Sequence, residues 1–121
     1  MARHIIKPTR IQSVGNIVKI IDEFIGIVNS QTKDISIAKM QSPAGWEEPA
    51  QKPEFDEYTL VLKGNVHVKS GEETFIVKAG EVFFSKKGDR VQYSTPDPGG
   101  AEYLAICIPA FSPNSVHREK D

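Results

Sequence analysis

The chain has 121 residues, a formal net charge of −1, and 39% hydrophobic against 26% charged side chains, which suits one folded domain and excludes a disordered or fibrous protein. The near-neutral charge excludes the broad positive potential that binds phosphates, and no apolar run approaches the roughly 18 to 20 residues that cross a bilayer, so we expect a cytoplasmic protein with neither nucleic acid nor membrane as a partner. Because Cys107 is the only cysteine, an intrachain disulfide and a cysteine-based metal site are excluded as well.

The first 33 residues predict a short helix or an irregular segment. Ile17, Ile20, Ile21, Phe24 and Ile25 recur at spacings of three and four, which is typical of one apolar helix face. β-Branching at several of these positions lowers helix propensity and keeps the irregular alternative open. We therefore assign residues 1–33 to an N-terminal segment that precedes the main body of a single domain, residues 1–121.

Residues 34–108 predict a series of antiparallel strands. Short runs of alternating or β-branched residues are separated by turns that contain glycine, such as Lys63-Gly64-Asn65 and Ala79-Gly80. We expect strands at about residues 34–40, 57–63, 65–69, 73–78, 81–85, 90–95 and 101–108. So many short strands without covering helices favour a closed or sandwiched sheet, and we predict an all-β jelly-roll barrel with residues 109–121 as a C-terminal tail.

A proline-rich loop separates the first two predicted strands. Pro43, Pro49 and Pro53 lack the backbone donor that a sheet ladder needs, so residues 41–56 are expected to be irregular. Trp46 lies within this loop. We expect its indole to pack over one end of the barrel.

Two patterns in the barrel region resemble the motifs of the cupin family. Glu57 is followed by six residues and Gly64, and Gly80 precedes Gly88 at the spacing of the second motif, with Lys86 at the motif's proline position. In that family, three histidines and the glutamate usually hold a metal ion. Here the histidine positions fall on other residues, namely Ala50 and Lys52 or Gln51 and Pro53 for the first motif, and Val91 for the second. The resemblance therefore implies a cupin double-stranded β-helix with Glu57 in its lumen and without the motif histidines.

Two longer stretches, residues 45–58 and 109–118, resemble a subgroup of small bacterial cupins of unassigned activity. The chain is also distantly similar to the ethanolamine-utilisation cupins, which lack the metal histidines too and are connected with phosphoryl transfer to a small carboxylate. Cupins of this kind pair through apolar sheet faces, so the resemblance implies a homodimer.

Alternation along the strands predicts which side chains face the lumen. If Glu57 points inward, Thr59 and Val61 share its side. The same rule places Tyr93 on the side of Val91, and it groups Tyr103 with Cys107. The resulting candidates for catalysis are Glu57, Tyr93 and His117, and those for ligand binding are Gln51, Trp46, Thr59, Tyr103 and Cys107.

The notion of a functional role has a simpler alternative for Glu57, Cys107 and His117. Glu57 is either a general acid or base, because an apolar lumen raises the pKa of a carboxyl group, or a remnant of the metal motif that only packs. Cys107 is either a nucleophile or a small buried hydrophobic residue, which is the commoner state of a lone cysteine in a strand. His117 either shuttles protons at the barrel mouth or is an exposed tail residue.

These observations predict a homodimeric, metal-independent cupin that binds a small polar metabolite, a carboxylate or a sugar derivative, in the barrel lumen. No cofactor is expected, because without the motif histidines the chain offers only Glu57, hydroxyl and amide groups, which would hold a metal ion weakly at most. One alternative is an isomerase, lyase or transferase with Glu57 as general acid or base. Another is a sensing or scaffold module without chemistry.

Overall fold

The computed structural model describes residues 2–119, which form nine strands joined by turns and loops. The strands are β1 (Thr9–Ile11), β2 (Ile20–Ile25), β3 (Ser36–Ser42), β4 (Trp46–Glu47), β5 (Asp56–Ser70), β6 (Glu73–Lys78), β7 (Val82–Ser85), β8 (Val91–Thr95) and β9 (Ala101–Ile108). Within residues 2–119 there is no helix, and hence none long and apolar enough to cross a membrane. The all-β prediction is confirmed.

β5 organises the barrel because it pairs with four other strands, all antiparallel. Its first half pairs with β9 and β7, and its second half pairs with β6 and β8. Gly64 lies where the partners change, with φ of 73°, and a Cβ atom there would approach the carbonyl oxygen of Gly100 to 2.1 Å. Only glycine fits this position, so the predicted break between two strands is a bend within one strand that serves two sheets.

The expected N-terminal helix is wrong, because residues 20–25 form β2 between β1 and β3. The strand order on this side is β1-β2-β3-β9-β5. A bulge between Glu23 and Ile25 interrupts the alternation of β2, so apolar residues fall at spacings of three and four without any helix. Ile21 pairs with Met40 on β3, where its β-branched side chain suits the pleated surface.

The barrel interior is packed densely at one end only. On β5 the inward residues Val61, Val66 and Val68 are fully buried and belong to the main hydrophobic cluster. Trp46 is part of this cluster, because β4 pairs with β8 and turns the indole into the core instead of laying it over a barrel end. A smaller cluster of Phe55, Cys107, Val116 and Phe111 lies apart from it.

Candidate functional site

A cavity of about 350 Å³ occupies the end of the lumen that the main cluster does not fill. Its floor consists of small residues that face each other on neighbouring strands, because Ala38 pairs with Ala105 and Ser36 pairs with Cys107. Short side chains next to each other on one sheet face leave space above them instead of a packed core. Glu57 and Thr59 of β5, Tyr93 of β8 and Tyr103 of β9 complete this wall.

Both ends of the chain close the cavity. Residues 11–14 and Lys19 line it from the N-terminal side, and Val116 and Arg118 line it from the C-terminal side. The tail is held as a short extended pairing, since the Lys52 amide donates to the His117 carbonyl over 3.2 Å and the Glu119 amide donates to the Ala50 carbonyl over 2.7 Å. The cavity is therefore assembled from segments almost a hundred residues apart.

Four charged residues on the cavity wall were not among the sequence candidates: Lys19, Glu23, Glu48 and Arg118. The Lys19 ammonium group lies 3.1 Å from the Tyr103 hydroxyl, 3.9 Å from Glu48 Oε1 and 3.8 Å from the Trp46 ring centroid. Lysine and glutamate are rarely buried without partners, so the sequence gave no reason to place these side chains inside the barrel. Glu48 lies directly after β4, two residues beyond the buried Trp46.

Burial governs the protonation of Glu57. Removal from water raises the pKa of its carboxyl group to about 7, and the negative charge of Glu48 adds to this. The positive charges of Lys19 and Arg118 and the Tyr93 hydroxyl act in the opposite direction but do not cancel it. Burial also raises the pKa of Glu48. At neutral pH Glu57 therefore exchanges its proton readily.

The two tyrosines and the cysteine on the wall are held neutral. Burial is the largest cause that raises the pKa of Tyr93, Tyr103 and Cys107. Glu57 pairs with Cys107 across β5 and β9, and its negative charge raises the thiol pKa further. A thiol in this state is a poor nucleophile, which favours the packing interpretation of Cys107.

Five buried polar atoms in the described part of the chain have no hydrogen-bond partner, and all five belong to residues of this cavity. They are Glu48 Oε2, Gln51 Oε1, Glu57 Oε1, Tyr93 Oη and Arg118 Nε. A buried polar atom without a partner costs about 1 to 3 kcal/mol. Their convergence on one space indicates a site that a polar ligand or water completes.

Two sequence candidates lie away from the cavity wall. Contrary to our expectation, His117 faces the outside, where its imidazole contacts the Glu54 carboxylate. Val116 and Arg118 line the cavity, whereas His117 between them is exposed and has a left-handed φ of 49°. Trp46 is buried behind Lys19 and does not reach the rim, whereas Gln51, Thr59, Tyr103 and Cys107 do line the cavity.

The side chains present do not fit the metal centre that the cupin motif implies. Among residues 2–119 no group of three or more histidine, cysteine, aspartate or glutamate residues lies close enough to hold an ion. The two carboxylates that meet in the cavity, Glu48 and Glu57, share it with the cations Lys19 and Arg118. A divalent ion there would be opposed by two fixed positive charges and would find no imidazole.

Two curated proteins are similar to this chain in sequence. The chain is 41% identical over 101 residues to the endoribonuclease YbeY of Myxococcus xanthus, a match that covers 84% of the chain and 34% of that protein. It is 39% identical over 56 residues to the acetate kinase EutQ of Salmonella typhimurium, covering 46% of the chain and 24% of EutQ. The chain thus spans about a third and about a quarter of the length of these curated relatives.

Solved structures and a family model point the same way. The crystal structure of a putative ethanolamine utilisation protein Q from Salmonella typhimurium superposes with a TM-score of 0.67 and 21% identity, over 87% of this chain and 98% of that one. Residues 30–98, more than half of the sequence, match the EutQ-like cupin domain. The chain therefore belongs to the EutQ-like cupin family.

Proposed function

We propose that the chain binds a small polar metabolite, a carboxylate or a sugar derivative, in the lumen cavity and that it does so without a metal ion. The observation that supports this is the convergence of five unpartnered buried polar atoms on one cavity. Its volume of about 350 Å³ lies in the range of small-molecule sites, and the remaining wall is largely apolar. Such a wall excludes water and leaves a few polar groups to select the ligand.

Some residues on the wall are proposed to contact the ligand, and others are proposed to position neighbouring side chains. Glu57, Tyr93 and Gln51 have free polar atoms and are the proposed ligand contacts. The Tyr103 hydroxyl is already engaged by Lys19 and, over 2.9 Å, by the Ser42 hydroxyl, so its proposed role is to position the lysine. Thr59 and Cys107 supply small surface to the wall.

Of the two curated relatives, only EutQ supports a proposal about the class of ligand. EutQ is an acetate kinase by name, and its similarity supports a small carboxylate as the ligand. Ribonuclease activity is not carried over from the Myxococcus xanthus protein, because two thirds of that protein lie outside the match and the chain has a net charge of −1.

A second candidate function is acid–base catalysis on the same metabolite, as an isomerase, lyase or transferase. The observation that favours it is the Glu57 pKa of about 7, which suits a group that both accepts and donates protons near neutrality. Tyr93 is a candidate partner, since its hydroxyl lowers the Glu57 pKa and has no hydrogen-bond partner among the described residues. His117 is not part of this proposal because it faces outward.

Incubation with metabolite pools distinguishes these functions. The purified protein, its Glu57→Gln variant and a Glu54→Gln control are mixed with a cell extract, and mass spectrometry records compounds retained and compounds converted. Retention by wild type and control that falls in Glu57→Gln supports binding. Conversion that only Glu57→Gln loses supports the enzyme. The absence of any retained or converted compound would favour the scaffold alternative and contradict the binding proposal.

We further propose a homodimer formed across the outer faces of β5, β7 and β9. These faces present a continuous apolar surface: Tyr58, Leu60, Leu62, Val82, Phe84, Leu104, Ile106 and Ile108. The Tyr58 and Phe84 rings lie 4.8 Å apart at its centre, and Phe84 is 48% exposed. None of these eight residues is charged, so a second copy of the same apolar face is a complementary partner.

Sedimentation velocity tests the dimer. Phe84→Ser is expected to shift the protein toward monomer at a given concentration, while Ile76→Ser, an equally exposed apolar position on β6, leaves the distribution unchanged. A wild-type monomer at high micromolar concentration would contradict the proposal.

A further inference from the structure

The five unpartnered atoms of the cavity differ in whether they donate or accept hydrogen bonds, and this constrains the chemical groups of the ligand. Glu48 Oε2 and Glu57 Oε1 belong to carboxyl groups, and Arg118 Nε is a donor. The Tyr93 hydroxyl can serve either way, and the Gln51 amide can turn over to present either atom. The two carboxyl groups therefore favour hydrogen-bond donors on the ligand, whereas Arg118 favours an acceptor.

The charge of the cluster selects the kind of acceptor. Lys19 and Glu48 lie 3.9 Å apart and offset each other. Arg118 forms no salt bridge with a described residue, and its Nε is buried. Glu23, the third acidic residue of the wall, is turned away, because its carboxylate accepts hydrogen bonds from the amides of Val28 and Asn29. Arg118 is therefore a cation of the wall without a close ion pair, and an anionic acceptor satisfies its unpartnered Nε better than a neutral carbonyl does.

The charges on the wall also determine whether hydroxyl or ammonium groups are favoured as the ligand's hydrogen-bond donors. A ligand ammonium would place a third cation beside Lys19 and Arg118, at a site where burial raises the pKa of Glu48 and Glu57 and so disfavours their charged forms. Hydroxyl groups donate to Glu48 and Glu57 without adding charge. Neutral donors are thus favoured over cationic ones.

We infer that the lumen ligand is a small hydroxycarboxylate, whose carboxylate binds Arg118 and whose hydroxyl groups donate to Glu48 and Glu57. This inference rests on the proposed function and narrows it to one chemical class. It assigns recognition of the carboxylate to a residue of the C-terminal tail, outside the segment 30–98 that matches the family.

The tail holds Arg118 in place from its outer side. Next to the arginine, the Glu119 carboxylate binds the Arg90 guanidinium through two hydrogen bonds. Gln51 bridges to Arg118 through the backbone, which aligns the tail along the loop. The guanidinium therefore meets the ligand from a backbone that is fixed by external pairs, as a preorganised site requires.

Calorimetric titration of the full chain with matched small molecules tests the inference. The hydroxycarboxylates are glycerate, threonate and gluconate. Propionate lacks their hydroxyl groups, glycerol lacks the carboxylate, and serine replaces a hydroxyl by an ammonium group. We expect at least one hydroxycarboxylate to bind at least about tenfold more tightly than propionate, glycerol and serine, because each of these loses one charge-assisted contact or adds a buried charge.

Variants connect this preference with the named residues. Arg118→Gln is expected to weaken hydroxycarboxylate binding by about 10- to 100-fold, and Glu48→Gln by a smaller factor, while the exposed control Arg10→Gln leaves it unchanged. Because loss of Arg118 also changes a buried cluster, circular dichroism of the variant must match that of wild type, and Arg118→Lys should restore part of the affinity.

Each other outcome overturns the inference. Equal binding of glycerol and glycerate, tighter binding of serine, or unchanged affinity in a folded Arg118→Gln variant contradicts it. If the metabolite pool yields a Glu57-dependent ligand that lacks either a hydroxyl or a carboxylate group, the hydroxycarboxylate inference fails and the proposed binding function stands. If no Glu57-dependent ligand is found in the pool or the panel, the binding function itself fails.

Discussion

The two ends of the barrel lumen share the strands β5, β8 and β9 and yet differ in what they contain. At one end Val66 pairs with Val77, and Val68 lies opposite Phe75 and Tyr93, so branched and aromatic side chains fill the space. At the other end Ala105 faces Ala38 and Thr59, and the lumen stays open. Strand alternation decides which residues point inward, but the volume of those residues decides whether the result is a core or a pocket.

A charge placed in the filled end should break it. Val68 is fully buried, and Val68→Asp would leave a carboxylate without a partner among apolar neighbours. We expect a loss of more than about 4 kcal/mol in the free energy of unfolding, which leaves little folded protein. Urea denaturation measures it, with Ile76→Asp on the exposed face of β6 as the control. Two similar midpoints would show that this end is not the core.

In the open end, removal of a charge should stabilise the protein. The folded-state Glu57 pKa of about 7 lies above the ordinary value of 4.5, so stability is full below about pH 4.5 and falls as pH rises through 7. Near Glu57, Glu48 increases this effect, and Lys19, Arg118 and Tyr93 reduce it. Glu57→Gln should therefore be more stable than wild type by about 2 to 3 kcal/mol at pH 8, with no difference at pH 4.

Denaturant midpoints across this pH range test the prediction. Glu54→Gln is the matched control, because Glu54 is exposed and lies outside the cavity. A Glu57→Gln curve that runs parallel to wild type at all pH values would mean that Glu57 does not titrate near neutrality.

Enlarging one alanine at each end sharpens the comparison. Ala101→Leu is expected to cost about 1 to 3 kcal/mol, because Ala101 belongs to the filled cluster and its backbone packs against Gly64. Ala105→Leu should cost less than about 1 kcal/mol, because its side chain extends into the cavity, but it should abolish retention of the ligand found in the pool. Thermal unfolding and the retention assay measure both. Equal costs at the two sites would argue against an open lumen at Ala105.

The smallest effect is expected on the outside of the barrel. His117 has a φ of 49°, is exposed, and contacts Glu54 only at the surface. His117→Asn keeps a residue that tolerates this backbone conformation, so stability should change by less than about 0.5 kcal/mol and ligand retention should stay as in wild type. A loss of ligand retention would indicate that His117 takes part in ligand binding.

Much of the barrel was predictable because its signals are local. Glycines with positive φ and runs with a period of two set the strands between residues 56 and 108, and the same period placed Thr59, Tyr93 and Cys107 on the inner face. The N-terminal helix failed for a local reason as well, since a bulge in β2 imitates helical spacing. Most of the β5, β8 and β9 wall could thus be named in advance.

The sequence by itself determined the all-β architecture and the inward faces of β5, β8 and β9, because turns and alternation depend only on neighbouring residues. Only the tertiary structure decided that Lys19, Glu48 and Arg118 enter the same cavity and that His117 does not. Their charges are tolerated inside only through one another and through Tyr103, and such partners meet across the whole length of the chain. No local pattern encodes a pairing of that kind.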